Sequence, residues 1–359
     1  HVTLITSGLA AGDVDGDGWC DLYFCRMDGP NALYRNLGDW TFEALPNASG
    51  AACTDQHSIG AAFADVDGDG DIDLLTTARR GPTSLFLNDG KGRFTEDTTF
   101  VLAGQTKAGT TAAFADADGD GDIDLYVANY RGQGYGADLV AGRPDEWLME
   151  NTRRMKAGEP VDEDFDTQFF QFQGEVQEKG EADDFLLNDG KGRFTVAPPG
   201  MIGAAPLAPG STEGWGLSAQ WRDFDNDGDP DLYVCNDFHT PDRFWSNDGS
   251  GQLRHKLTHV QRRQSFYSMA VDAADLDADG HLDFFVADML SRSHSRRKRQ
   301  MGAMDGLPPQ SDSFSATPQI MQNTLFRNRG DNTYAEIAQF AGLKASEWTW
   351  GVAFLDVDL

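Results

Sequence analysis

The sequence predicts an all-β protein, a β-propeller of four-stranded antiparallel blades. Three observations carry that reading. A nine-residue pattern, Asp-x-Asp-x-Asp-Gly-x-x-Asp, recurs along the 359 residues from Asp13, Asp65, Asp116, Asp223 and Asp275, and a sixth copy opens at Asp356 as DVDL. Each complete copy is followed by an apolar run that ends in Asn and a Gly-rich turn, as in LFLNDGKGRF up to Phe94. Composition agrees: 40 glycines and 40% apolar residues suit a turn-rich chain with a sizeable core. Repeats of about 50 residues indicate propellers, solenoids or arrays, and four short strands per repeat select the propeller.

The elements of one unit follow in order. The first strand is small and apolar, as in Ile59-Gly60-Ala61-Ala62-Phe63-Ala64 or Trp350-Gly351-Val352-Ala353-Phe354-Leu355. The Asp loop comes next, and its last Asp opens a second strand such as Asp73-Leu74-Leu75-Thr76-Thr77. A third strand ends at Asn36, Asn88, Asn188, Asn247 or Asn328. Asn-Asp-Gly between apolar runs is a hairpin signal, so a fourth strand returns through Phe94 or its counterpart. Two residues before the Asp loop stand Phe63, Phe114, Trp221 and Phe354, an aromatic position expected to pack between blades.

Uneven spacing does not break the pattern. Starts lie 52, 51, 107, 52 and 81 residues apart, yet the distance from each Asn to the next Asp loop stays between 28 and 35. The variation falls between the first Asp and the Asn, normally 23 or 24 residues but 72 in the third unit and 53 in the fifth. Both insertions therefore lie between strands two and three. The expected blades are 8–45, 57–97, 109–197 with insertion 131–183, 214–257, 268–337 with insertion 289–322, and a partial 349–359, all in one domain spanning 1–359.

Charge narrows the partners. Fifty-eight acidic against 29 basic residues leave −29, a body that repels nucleic acid and anionic membrane and attracts cations. No apolar run approaches the ~20 residues of a membrane helix. The chain opens at His1 with no signal peptide, which implies either its removal or a fragment. Cys20, Cys25, Cys53 and Cys235 allow three full pairings. A Cys20–Cys53 bridge is the favoured pairing, against free buried thiols.

The Asp loop has chemistry that follows from its spacing. Carboxylates at positions 1, 3 and 5 of a tight loop converge, Gly at position 6 permits the turn, position 7 offers a carbonyl, and a further acid closes the shell. Such hard-oxygen coordination suits Ca²⁺ better than Mg²⁺. The loop lacks the Glu at position 12 of an EF-hand; its closing acid is Asp at position 9. The first site would use Asp13, Asp15, Asp17 and Asp21 with the Trp19 carbonyl. The second would use Asp65, Asp67, Asp69 and Asp73 with that of Asp71. The third would use Asp116, Asp118, Asp120 and Asp124 with that of Asp122. The fourth would use Asp223, Asp225, Asp227 and Asp231 with that of Asp229. The fifth would use Asp275, Asp277, Asp279 and Asp283 with that of His281, whose ring is expected to face solvent. Four carboxylates this close raise one another's pKa unless a cation intervenes. The ions are expected to pin the turns and add stability, not to catalyse, because protein oxygens fill the shell.

No GxSxG, HExxH, P-loop or dinucleotide fingerprint is present. His57, His239, His255 and His259 have no repeated partner, and Asp237 with His239 is the best catalytic pair available. Both insertions are expected on the face opposite the Asp loops, where a protein or glycan would bind. The first holds Phe169-Phe170-Gln171-Phe172, expected as a local hairpin or, alternatively, a sugar- or peptide-stacking surface. The second holds Arg292, Arg296, Arg297, Lys298 and Arg299, suited to a sulfated glycan or acidic surface, or else a solvated loop paired with nearby Asp.

The Asp loops, with GLAAGDVDGDGWCDLYF from Gly8, ADMLSRSHSRRKRQ from Ala287 and NTLFRNRGDNTYAEIAQFAGLKASEWTWGVAFLDVDL from Asn323, resemble the FG-GAP or VCBS repeats of the integrin α-subunit propeller. They are more similar still to bacterial proteins related to cartilage acidic protein, which carry such repeats before an ASPIC/UnbV domain. The resemblance implies Ca²⁺-binding loops, secretion or a periplasmic or cell-surface location, and a seven-bladed ring. This chain supplies five blades and the first strand of a sixth, so it reads as a fragment or as part of a ring completed elsewhere. The expected function is a non-enzymatic Ca²⁺-binding interaction or adhesion module. The alternative is a glycan-active hydrolase or lyase with its site among the insertion loops.

Overall fold

The computed structural model describes residues 8–45, 50–102, 107–132, 145–172, 175–203, 214–238, 240–256, 261–301 and 318–356. Strands dominate, in five four-stranded antiparallel sheets. The first sheet comprises Leu9–Gly12, Asp21–Phe24, Ala32–Asn36 and Phe42–Ala44. The second comprises His57–Ala64, Asp73–Arg80, Ser84–Asn88 and Phe94–Glu96. The third comprises Lys107–Ala115, Asp124–Gly132, Asp184–Leu187 and Thr195–Val196. The fourth comprises Gly216–Arg222, Asp231–Asn236, Arg243–Ser246 and Arg254–His255. The fifth comprises Ala270–Ala274, Asp283–Ala287, Thr324–Asn328 and Tyr334–Glu336. In every sheet the strands are ordered as in sequence, which is the meander of a propeller blade.

Contacts gather the chain into two compact units, His1–Ala112 with Leu125–Val196 and Leu207–Trp215, and Ala113–Asp124 with Ala197–Pro206 and Gly216–Leu359. Within the first unit, Ala10, Val14, Tyr23 and Leu33 of the first sheet meet Leu74, Phe86 and Phe94 of the second. Phe63 lies 6.4 Å from Tyr23 and 6.2 Å from Phe94, so this recurrent aromatic does pack between sheets. Within the second unit, Phe224, Tyr233, Phe244, Phe284, Phe326 and Tyr334 form the larger core. Trp221 is also buried, and its indole N–H donates to the Ala113 carbonyl at 3.3 Å.

Stacking on both faces explains the sequence texture. The second strand is covered on either side, so Leu74, Leu75, Thr76 and Thr77 are all buried and the strand reads as a continuous run. First strands carry small residues because neighbours approach closely. A Cβ on Gly60 would sit 2.5 Å from the Thr110 carbonyl oxygen.

Both insertions contain helices that strand periodicity did not announce. The first folds as Asp145–Lys156, Glu163–Gln168 and a hairpin of Phe169–Phe172 with Glu175–Glu178. Phe165 is fully buried, stacked 4.4 Å from Phe169 and 5.6 Å from Trp147, so these rings form a private core rather than a stacking platform. The second carries the helix His294–Met301 and a parallel pairing of Gln264–Ser265 with Gln319–Ile320. Its arginines face backbone and Glu rather than Asp: Arg292 Nε donates to Ala345 O at 2.8 Å, Arg297 Nε to Ser291 O at 2.5 Å, and Arg296 lies 3.5 Å from Glu347. Residues 133–144 and 302–317 of these insertions lie outside the described residues.

Two expectations are corrected. All four cysteines are free. Cys20 is exposed beside the Asp loop, whereas Cys53 lies among the Tyr23 hydroxyl (3.7 Å) and Thr76 (3.8 Å), at the other end of the second strand. Residues 350–355 carry no strand pairing, because an isolated segment has no second strand within the described chain to complete a ladder. Among the described residues no helix is long and apolar enough to cross a membrane.

Candidate metal centres

Each Asp loop joins strands one and two of its sheet, and its backbone is bent by two left-handed residues. Position 6 is Gly throughout, with φ of 88°, 95°, 96°, 98° and 86° at Gly18, Gly70, Gly121, Gly228 and Gly280. Position 4 is left-handed too, occupied by Gly in three loops but by Asn226 (φ 61°) and Ala278 (φ 58°) in the last two.

Carboxylates then lock the turn. The first Asp accepts the position-6 N–H, at 2.8 Å for Gly18 on Asp13 and 3.0 Å for Gly70 on Asp65, with the same bond in the other three loops. The fifth-position Asp accepts the N–H of position 7 in all five, between Trp19 on Asp17 at 2.8 Å and Asp229 on Asp227 at 3.1 Å. Three carboxylate oxygens converge within 4.8 Å in every loop: Asp13, Asp15 and Asp17; Asp65, Asp67 and Asp73; Asp116, Asp118 and Asp124; Asp223, Asp225 and Asp227; Asp275, Asp277 and Asp279. The ninth-position Asp thus joins the cluster in the second and third loops. Its oxygens also serve the backbone: Asp73 accepts Val66 N at 3.0 Å and Asn88 N at 2.8 Å, and Asp21 accepts Val14 N at 3.1 Å and Asn36 N at 2.7 Å.

In four loops the position-7 side chain covers the following hairpin. Trp19 lies over Gly38, Asp71 over Gly90, Asp229 over Gly249 and His281 over Gly330. His281 is half-buried rather than solvent-facing, its Nδ1 being 2.9 Å from Asn226 Nδ2.

The donor set fits a hard divalent cation. Burial first, then the neighbouring charges of Asp67 and Asp69, push Asp73 up to about 6. Asp67 and Asp118 are raised by burial and by the adjacent loop carboxylates. Asp21 and Asp283 are raised chiefly by burial. Buried oxygens Asp15 Oδ1 and Asp225 Oδ1 have no hydrogen-bond partner. Oxygen-only ligands on a flexible loop are the coordination Ca²⁺ takes, so the chain's own residues suit it.

A residue that spacing treated as a landmark has a larger role. The Asn ending the third strand donates through Nδ2 to two carbonyls. One belongs to position 8 of its own loop: Asn88 to Ile72 O at 3.0 Å, Asn247 to Pro230 O at 3.2 Å. The other belongs to position 2 of the preceding loop: Asn88 to Val14 O at 2.9 Å, Asn188 to Val66 O at 2.7 Å, Asn247 to Ala117 O at 2.7 Å and Asn328 to Phe224 O at 3.2 Å. Its recurrence at every third-strand end was the available signal.

At the opposite end of the sheets a second device recurs. The residue just before the third strand accepts an N–H from the second strand or the residues just after it: Asn31 from Arg26, Asp183 from Asn129, Asp242 from Asn236 and Asn323 from Asp288, each at 2.8 Å. Asp237, half of the best catalytic pair, is buried and accepts Phe238 N at 2.9 Å. Its partner His239, and His259, lie outside the described residues. Burial lowers His255 to about 4, and its ring stands edge-on to Trp245.

A family model for the FG-GAP-like repeat matches residues 13–76, 65–127 and 223–286. The chain is similar to cartilage acidic protein 1 of Xenopus tropicalis, 31% identical over 160 residues that are 43% of this chain and 25% of that protein. The Homo sapiens protein of the same name is 33% identical over 90 residues, 24% of this chain and 14% of that protein. The chain thus matches a quarter or less of these relatives' length. Among solved structures, an Agrocybe aegerita lectin that recognises non-reducing terminal N-acetylglucosamine aligns with TM-score 0.50 and 16% identity, covering 92% of this chain and 65% of that one. At such identity the likeness is one of fold, and it agrees with the blade-like sheets. All five Asp loops fall inside the stretches matched by the repeat model, and the chain carries FG-GAP-like repeats.

Proposed function

We propose that this chain is a Ca²⁺-stabilised extracellular interaction module without catalytic chemistry, binding a protein or glycan through the insertions between strands two and three. The convergence of three carboxylate oxygens within 4.8 Å in each of five loops carries the metal reading. Acidic loops at turns suit the 10⁻⁴–10⁻³ M Ca²⁺ affinities of extracellular modules, which fits a secreted or cell-surface location. Loops one, two, three and five keep the ligands given above, with the ninth-position Asp contributing most directly in loops two and three. Ions there hold turns, and the helical insertions, anchored on rigid sheets, supply the surface that varies.

The test is thermal unfolding with and without chelator. Removing Ca²⁺ lowers the melting temperature, and millimolar Ca²⁺ restores it by mass action. Replacing Asp67 by Ala lowers the calorimetric stoichiometry by one. A melting curve indifferent to chelator and calcium refutes the metal reading.

A further inference from the structure

The fourth loop differs from the others in a way its sequence does not disclose. In four loops the second oxygen of the ninth-position Asp accepts the position-2 N–H: Val14 on Asp21, Val66 on Asp73, Ala117 on Asp124 and Leu276 on Asp283. In the fourth loop that oxygen, Asp231 Oδ2, has no hydrogen-bond partner although Asp231 is fully buried. It faces the Lys256 ammonium at 3.5 Å. The same ammonium donates to Asp225 Oδ2 at 2.8 Å and lies 4.9 Å from the centre of the Phe244 ring.

Lys256 occupies a repeated position. Its N–H donates to Phe244 O at 2.7 Å, just as Leu45 donates to Leu33 O, Asp97 to Leu85 O and Ile337 to Leu325 O beside the last strands of other sheets. Only in the fourth does this register carry a cation, and its side chain is 8% exposed. Arginines near other loops are different. Arg327 approaches Asp277 at 2.6 Å and Asp279 at 4.0 Å but is 53% exposed, and Arg35, 32% exposed, meets Asp15 at 2.7 Å and the Lys91 carbonyl at 3.4 Å. Neither contacts the ninth-position Asp of its loop. A buried ammonium seated between the third- and ninth-position carboxylates neutralises the charge a divalent ion would neutralise, and it repels such an ion at a few ångströms.

We infer that the fourth loop takes Lys256 as its built-in cation in place of a divalent ion. This inference rests on the reading that the other loops bind Ca²⁺. The fourth loop is then folded independently of calcium, a fixed point among metal-dependent turns.

The experiment counts Ca²⁺ bound to the full chain by equilibrium dialysis after chelator treatment. The parent binds one fewer ion than its five complete loops. Asp67→Asn lowers that count by one, whereas Asp225→Asn leaves it unchanged. Lys256→Met raises it by one, melts lower than the parent in chelator, and is restored by Ca²⁺. The inference is overturned if Asp225→Asn lowers the count as Asp67→Asn does, or if Lys256→Met folds and binds no additional ion. Should Lys256→Met fail to fold, the Asp225→Asn count decides. A parent that binds no Ca²⁺ sinks the metal reading alone. Lys256 is then judged by melting in chelator: Asp225→Asn must recover part of the loss caused by Lys256→Met, and no recovery overturns the pairing.

Discussion

Replacing Asp242 by asparagine should change how this protein's stability depends on pH. Asp242 is buried. Its carboxyl accepts Asn236 N at 2.8 Å, and hydroxyls of Tyr233 and Ser268, each at 2.7 Å. Burial pushes it from 3.8 up to about 7, with the Asp288 charge adding to the rise. Between those pH values the unfolded chain is ionised at this group while the folded chain holds its proton. Stability is therefore fully present below about pH 4 and falls as pH rises through about 7, by a ceiling of about 4 kcal/mol. Asparagine cannot ionise, and the first sheet already uses it at this place. Asn31 accepts Arg26 N at 2.8 Å and donates to the Tyr23 and Ser58 hydroxyls at 2.9 and 2.8 Å. The variant must redirect the Tyr233 hydroxyl proton, which costs about 1 kcal/mol. Asp242→Asn should accordingly be slightly less stable than the parent at pH 4 and more stable at pH 8. Urea unfolding followed by tryptophan fluorescence at both pH values, at constant Ca²⁺, measures the crossing. Parallel pH dependence in parent and variant would refute the assignment. Asp288, also pushed up by burial to about 6, titrates in both proteins, and only its coupling to Asp242 differs between them.

Other substitutions probe the repeated devices. Asn88→Ala removes hydrogen bonds to Val14 O and Ile72 O and should destabilise by about 2 kcal/mol. Asn36→Ala loses the 3.1 Å bond to Cys20 O and the 3.0 Å bond from Gly38 N at a more exposed position, where water can replace them, and should cost less in the same unfolding assay. Ala278→Gly relieves a left-handed alanine (φ 58°) and should stabilise by about 0.5–1 kcal/mol, seen as a higher denaturation midpoint.

The repeat made much of this fold legible. Fixed spacing of Asp and Asn located the five Asp loops and the five four-stranded sheets, because these residues bend the backbone by local hydrogen bonding. The insertions were opaque for the opposite reason. Helix Asp145–Lys156 has acids at its start and Arg153, Arg154 and Lys156 in its last turn, a local signal that lies outside the repeat and so has no periodic counterpart. The private core of Phe165, Phe169 and Trp147 resembles a binding stripe until rings are seen packed on each other. Thiol pairing failed because spacing says nothing about which end of a strand a cysteine occupies. The Lys256 contact was invisible for a related cause: a lysine 31 residues after Asp225 meets it only through the curl of the fourth sheet.

The Asn amide that reaches the preceding loop sets where this protein can be divided. Excising a unit between its own first and fourth strands strands a loop carbonyl at one cut and an idle amide at the other. The exchangeable piece is staggered: one Asp loop together with the third strand of the sheet that follows, as for Val14 with Asn88 or Phe224 with Asn328. Chimeras spliced on that offset keep each amide with its carbonyl, whereas those spliced at blade borders sever it.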